Sequence, residues 1–178
     1  MLSSNTPPSS TVLRKRKLRV LEDLPESQIF ARKDFVYDDA EDYVGHGAFA
    51  DVYKARLTKT KEVVAAKVFF QRENHRVRLT AGEVRTLRKE VAVLLSITKH
   101  PNIVRLIGLC DEPREYTLLL EFVDGKDLHD LLLEPHEEKI EEKIENWSNR
   151  QEIALQIAKG MDHLHSQNPP ILHFDLKP

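Results

Sequence analysis

Apolar and polar residues alternate with a period of two along three stretches of the first half of the chain. These are DFVYDDAEDYV (34–44), ADVYKARL (50–57) and EVVAAKVFF (62–70), and the alternation predicts three strands. On the third, Val63, Ala65, Lys67 and Phe69 share one face, which places a lysine among small and apolar neighbours. From about 79 to 98 the period changes: Leu87, Val91, Leu94 and Thr98 recur at helical spacing, with Glu83 and Glu90 a heptad apart on a neighbouring face. Two further strands are expected over IVRLIGLC (103–110) and YTLLLEFV (116–123), separated by the turn-like DEPRE (111–115). Strands interrupted by a lone helix point to an antiparallel α+β layer rather than a wound parallel sheet.

The second half reads as helical. A short helix is expected over 126–133, followed by the charged tandem EEKIEEKI (137–144), a solvated insert or helix extension. The pattern S-x-x-Q over 148–151 resembles a capping box and opens a clear helix. Its apolar stripe runs through Ile153, Ile157, Met161 and Leu164, backed by Ala154 and Ala158. NPP (168–170) stops it, and ILHF leads into DLKP.

Composition removes several classes of function. Twenty-seven Lys and Arg against 29 Asp and Glu leave a formal charge of −2, which gives no support to a nucleic-acid partner. The longest apolar run, within 116–123, is far too short for a membrane span. A single cysteine, Cys110, forms no internal disulfide and fits a reducing compartment. The opening MLSSNTPPSS lacks the apolar core of a secretory signal and reads as a disordered leader. The expected location is intracellular and cytoplasmic; the basic cluster of Arg14, Lys15, Arg16, Lys17 and Arg19 reads first as a solvated tail and second as a nuclear or organellar address.

Chemistry enters with VGHGAFADV (44–52). Gly45 and Gly47 let a backbone approach a ligand and turn its N–H groups on phosphate, although two glycines also suit a plain hairpin. Lys67 follows as a cation for phosphate oxygens, and Glu90 is its best-placed counter-ion. No G-x-x-x-x-G-K-[ST] occurs, so a P-loop hydrolase is disfavoured.

Taken in order, VGHGAFADV, VAAK (64–67) and HFDLKP (173–178) resemble the Gly-rich loop, the strand motif VAIK and the opening of the catalytic loop HRDL of eukaryotic protein kinases. HPNIVRLIGL (100–109) and LEFVDGKDL (120–128) are similar to the family's segments after helix C and at the hinge. The resemblance covers 34–178, and the style of WSNRQEIALQIAKGMDHLH is similar to the tyrosine-kinase-like group, with DLKP of serine/threonine type. It implies a kinase N-lobe, a five-stranded antiparallel sheet plus helix C, over 34–124 with the hinge. A disordered basic leader would occupy 1–33, and the first helices of the C-lobe 125–178.

The resemblance further implies ATP, Mg²⁺ and a protein substrate bearing Ser or Thr. Lys67 would contact the α/β-phosphates and pair with Glu90, while Val44, Gly45, Gly47 and the backbone near Phe49 would cover the phosphates. Val52 and Ala65 would sandwich the adenine, Leu120 would be the gatekeeper, and the backbones of Glu121 and Val123 would bond the adenine edge. Asp127 would contact the ribose, and Leu94, Leu106 and His173 would join the apolar column that aligns the lobes. Asp175 would be the catalytic base and Lys177 would neutralise charge on the transferring group.

Three departures qualify this. Ala50 stands where the loop's third glycine would be, which implies slightly less loop freedom. Phe174 replaces the HRD arginine, which implies activity not gated by phosphorylation of the activation loop. The family's metal-holding Asn and DFG Asp fall after Pro178, so the 178 residues by themselves are expected to be inactive, with an apolar face on the 149–165 helix left exposed. The competing reading is a short, non-catalytic kinase-like binding or regulatory module.

Overall fold

The structure, a computed structural model of the chain, describes residues 24–47, 50–69, 81–112, 115–133 and 146–177. In chain order the strands are β1 (Ile29–Phe30), β2 (Phe35–Val36), β3 (Tyr43–His46), β4 (Asp51–Leu57), β5 (Val63–Phe69), β6 (Leu106–Glu112) and β7 (Glu115–Glu121). Helix α1 (Ala81–Ser96) lies between β5 and β6, and α2 (Leu128–Leu133) and α3 (Trp147–His165) follow β7. The fold is α+β, as the pattern predicts, with the N-lobe type of architecture that the resemblance implies. The strands β3 to β7 form the five-stranded antiparallel sheet, and two short strands extend it.

The stretch expected as one strand over 34–44 is broken into β2 and β3, which pair with opposite ends of β4. The Asp38 carboxylate causes the break by accepting the N–H groups of Ala40 (2.8 Å) and Glu41 (3.0 Å), an Asx turn that takes these groups from the ladder. The β6–β7 hairpin is longer at its tip than DEPRE suggests, since Glu112 pairs with Glu115. At its base β6 starts only at Leu106, because Ile103 N–H turns back to the His100 carbonyl. The EEKIEEKI tandem lies outside the described residues.

Each face of the sheet has its own core. Ala50, Phe69, Leu106, Leu109 and Leu118 pack with Leu87 and Val91 of α1, each of those two 1% exposed. On the other face Tyr53, Ala55, Leu57, Val64, Ala66, Val68, Cys110 and Leu119 are covered by Phe35, which is fully buried. Each large apolar side chain so buried contributes about 1.5–3 kcal/mol.

Curling explains how one short segment serves both ends. The strand order is β1-β6-β7-β5-β4-β2, with β3 also on β4. β1 and β2 therefore end the path, yet only residues 31–34 connect them. In a flat sheet they would stand about 24 Å apart. Five Cα steps reach at most about 18 Å, and Arg32–Asp34 is coiled into a 3₁₀ turn that shortens the reach further. The sheet has to bend until its edges meet, and Phe35 fills the space inside the bend. Residues 24–33, expected to lie in a disordered leader over 1–33, are thus folded from Leu24 onward in the described structure. The pattern conceals them because β1 is two residues long and its partner is distant in sequence.

Helix α3 starts one residue before the expected capping box. Asn146 is the cap, its side-chain oxygen accepting the Ser148 N–H at 2.9 Å, an arrangement worth about 1 kcal/mol. Along its apolar stripe Leu164 is buried, Ile153 and Met161 are half-buried and Ile157 is exposed.

Tyr53 gives the fold a measurable alkaline limit. Its ring stacks on Tyr37 at 4.5 Å and meets Tyr43 edge-on at 5.8 Å. Burial, then the carboxylates of Asp51 and Asp39, push its phenol above the ordinary value of about 10. A raised folded value means the folded state holds the proton longer. The associated stability is complete below about pH 10 and is lost as pH rises through the folded value. Urea midpoints are expected to fall above pH 10, and Tyr53→Phe to flatten that fall; an unchanged alkaline slope in the variant would contradict the assignment.

Candidate active site

Strand alternation and register bring the expected nucleotide-facing residues together. Val52 pairs with Lys67 and Lys67 with Leu118, while Ala65 pairs with Leu120. Directly paired residues share a face, so Val52, Ala65, Lys67 and Leu120 lie on the side of the sheet that carries α1, and all four are half-buried.

Lys67 Nζ donates to Glu90 Oε1 at 2.6 Å, with side chains 29% and 31% exposed. The pair joins β5 to the middle of α1. Glu90 sits there because Leu87 and Val91, on either side of it in sequence, bury the adjacent helix face.

The Gly-rich stretch forms the β3–β4 hairpin. Tyr43 pairs with Tyr53 and Gly45 with Val52, so Val44 is the extra residue of a bulge and is exposed. Gly47 N–H donates to the Ala50 carbonyl at 2.7 Å and closes the loop. A Cβ built on Gly45 would meet nothing within 4 Å. Phe49 lies outside the described residues. Ala50, at the glycine-to-alanine departure, buries its methyl in the cluster under α1.

At the other end of the site, the Glu121 N–H donates to the Arg105 carbonyl at 2.9 Å, so a ligand at this residue would use its carbonyl. Val123 is exposed. Asp127 caps α2, its Oδ1 accepting the Asp130 N–H at 2.7 Å. Lys54, which no sequence motif marks, has its ammonium 4.9 Å from the Phe122 ring centroid and ties β4 to the segment after β7. Only the three-dimensional register reveals that contact.

The C-terminal segment is held through α3. A Cβ on Gly160 would lie 3.1 Å from the Asn102 carbonyl oxygen, so glycine lets the helix approach the 100–105 loop. His163 Nε2, 2.9 Å from the Thr98 carbonyl, donates to it, and the His163 ring stacks on His100 at 4.6 Å. The periodicity does not reveal these contacts at the start of the loop, since neither histidine falls on an apolar period. Ile171 N–H then returns to the Leu164 carbonyl at 3.0 Å and fixes the start of the HFDLKP segment.

Within that segment Phe174 is 90% exposed, with φ 59°, in the left-handed region that costs a non-glycine residue about 1–2 kcal/mol. Asp175 and Lys177 are exposed and pair at 3.3 Å. His173 lines a cavity of about 500 Å³ with Leu94, Ile97, Ile157 and Met161, while Leu106 is buried in the α1 cluster beside Leu94. Among the described residues no helix is long and apolar enough to cross a membrane.

The chain is 31% identical over 173 residues to the receptor-like kinase LIP2 of Arabidopsis thaliana, covering 92% of the chain and 29% of that protein. It is 36% identical to the salt tolerance receptor-like cytoplasmic kinase 1 of Oryza sativa subsp. japonica, covering 75% of the chain and 35% of that protein. To the serine/threonine-protein kinase PBS1 of Arabidopsis thaliana it is 35% identical, with 76% and 27% covered. The chain thus spans about a third or less of the length of these relatives. Residues 39–178 match the protein kinase domain, and over that span the chain belongs to the protein kinase family.

Proposed function

We propose that residues 34–178 are the nucleotide-facing part of an ATP-dependent serine/threonine protein kinase, comprising the N-lobe and hinge (34–124) and the first part of the C-lobe (125–178). The Lys67–Glu90 pair at 2.6 Å, facing the same side as Val52 and Ala65, carries the reading. The site's features suit ATP. A lysine ammonium is held for phosphate, the sheet face beside it is apolar for a base, and the loop above it has open space at Gly45.

ATP supplies the transferable phosphoryl group. Lys67 holds the α/β-phosphates, the loop from Val44 through Phe49 covers them, and Val52, Ala65 and Leu120 enclose the adenine. The Glu121 carbonyl and the Val123 backbone orient its edge, and Asp127 meets the ribose through the carboxylate oxygen that does not cap α2. Asp175 accepts the proton of the substrate Ser or Thr hydroxyl, and Lys177 offsets charge on the transferring group.

Mg²⁺ belongs to the family's chemistry. Among the described residues no group of three or more His, Cys, Asp or Glu side chains is placed to hold a metal ion, and none is assigned to it. The family's Asn and DFG Asp, which hold the metal, are assigned to the part of the domain that follows HFDLKP. Phe174 makes activity independent of activation-loop phosphorylation. The name of the rice relative supports a cytoplasmic compartment.

Reading the coding sequence past Pro178 tests the proposal first. An Asn two positions on and a DFG further along are expected. Phosphotransfer to a Ser/Thr peptide library should then appear in the extended protein and fall by about 10²–10⁴ in Asp175→Asn. ATP binding without transfer in the extended wild type would favour the non-catalytic module instead.

A further inference from the structure

The match to the protein kinase domain begins at residue 39, yet the residues before it are built into the same core. Leu24, 6% exposed, shares one cluster with Leu87 and Val91 of α1 and with Ala50 at the end of the Gly-rich loop. β1 pairs in parallel with Leu109 and Cys110 of β6. The Phe30 ring and Gln28 backbone press on Gly108 so closely that a Cβ there would lie 2.5 Å from the Gln28 carbonyl oxygen. Arg32 N–H donates to Glu112 Oε1 at 2.8 Å. These contacts anchor the segment to β6 and leave Leu24 in the buried cluster that also holds Leu87 and Val91 of the helix that carries Glu90.

The Lys67–Glu90 bond is sensitive to that packing. At 2.6 Å it survives a displacement of α1 of only about 1 Å before hydrogen-bond geometry is lost. Leu87 and Val91 set the depth and rotation of the helix, and among the described residues Leu24 is the one member of their buried cluster that lies outside the kinase-domain match.

We infer that Leu24, held by the 24–36 strap, is a positioning residue for the nucleotide site: it completes the buried cluster that seats Leu87 and Val91 and so carries Glu90 to Lys67. A partner or modification that draws 24–31 off β6 withdraws Glu90 without touching the cleft. The inference rests on the proposed role of the Lys67–Glu90 pair.

The test uses the full chain as wild type, Leu24→Ala, Leu24→Met, Glu90→Gln and the Leu24→Ala/Glu90→Gln double variant. Hydrogen–deuterium exchange without nucleotide is expected to rise about tenfold over 85–96 in Leu24→Ala, to stay within about twofold over 51–69, and to be near wild type in Leu24→Met. If Leu24→Ala does not fold, Leu24→Val carries the same comparison. Titration with a fluorescent ATP analogue should show Leu24→Ala weakened about as much as Glu90→Gln, with no further loss in the double variant. A uniform rise in exchange, no rise in α1, or additive losses in the double variant would overturn the inference. A wild-type chain that fails to bind the analogue defeats the nucleotide reading, while the exchange comparison still decides whether Leu24 positions α1.

Discussion

Lys67→Met is expected to weaken ATP binding about 10- to 100-fold, the loss of one charge-assisted contact to phosphate. In the extended protein, phosphotransfer should fall by about 10²–10³. Stability should hardly change. The Lys67 and Glu90 side chains are each about a third exposed, so solvent screens the pair and its removal costs about 0–1 kcal/mol, a few degrees of melting temperature at most. The dissociation of the two effects is the informative result. Fluorescence titration with an ATP analogue, run beside a thermal melt, measures both. Wild-type affinity in the Met variant would reduce Lys67 to a structural partner of Glu90, whereas lost affinity with a large drop in melting temperature would assign it to the core.

Phe35→Ala should produce the opposite pattern. Its ring is fully buried inside the bend of the sheet, 6.2 Å from Tyr37 and 5.0 Å beneath the Arg32 guanidinium. Truncation removes that filling where the two edges meet. The expected loss is about 3–5 kcal/mol, a large share of the stability of an ordinary domain and roughly 10–15 °C in melting temperature. Phe35→Leu should retain most of it. Urea denaturation followed by circular dichroism measures the difference. A loss under about 1 kcal/mol for Phe35→Ala would mean that the face is closed by other residues.

The sheet and its chemistry were legible in the sequence wherever one local rule governed. Val63, Ala65, Lys67 and Phe69 obey alternation on a strand paired on both sides, so the position of Lys67 follows from its neighbours. Leu87 and Val91 obey the helical period and are nearly fully buried. Where a side chain competes with the backbone, the rule failed: Asp38 breaks the first strand, and Asn146 takes the cap expected at Ser148. Where partners are distant, no local pattern existed to read. The β1–β6 pairing, the crowding at Gly108 and the Lys54–Phe122 contact all depend on chain crossings. Asp127 shows a mixed case: the expected helix over 126–133 includes it, the structure starts α2 at Leu128 with Asp127 as the cap, and a ribose contact comes only from resemblance.

The bond between Arg32 and Glu112 spans 80 residues of sequence. During synthesis the strap therefore leaves the ribosome well before its docking strand exists. At about 5–20 residues per second, Ile29 and Phe30 wait several seconds, apolar and unpaired, until β6 emerges. The segment made first docks among the last, and that interval is when a chaperone or a neighbouring nascent chain has its best opportunity to capture the strap.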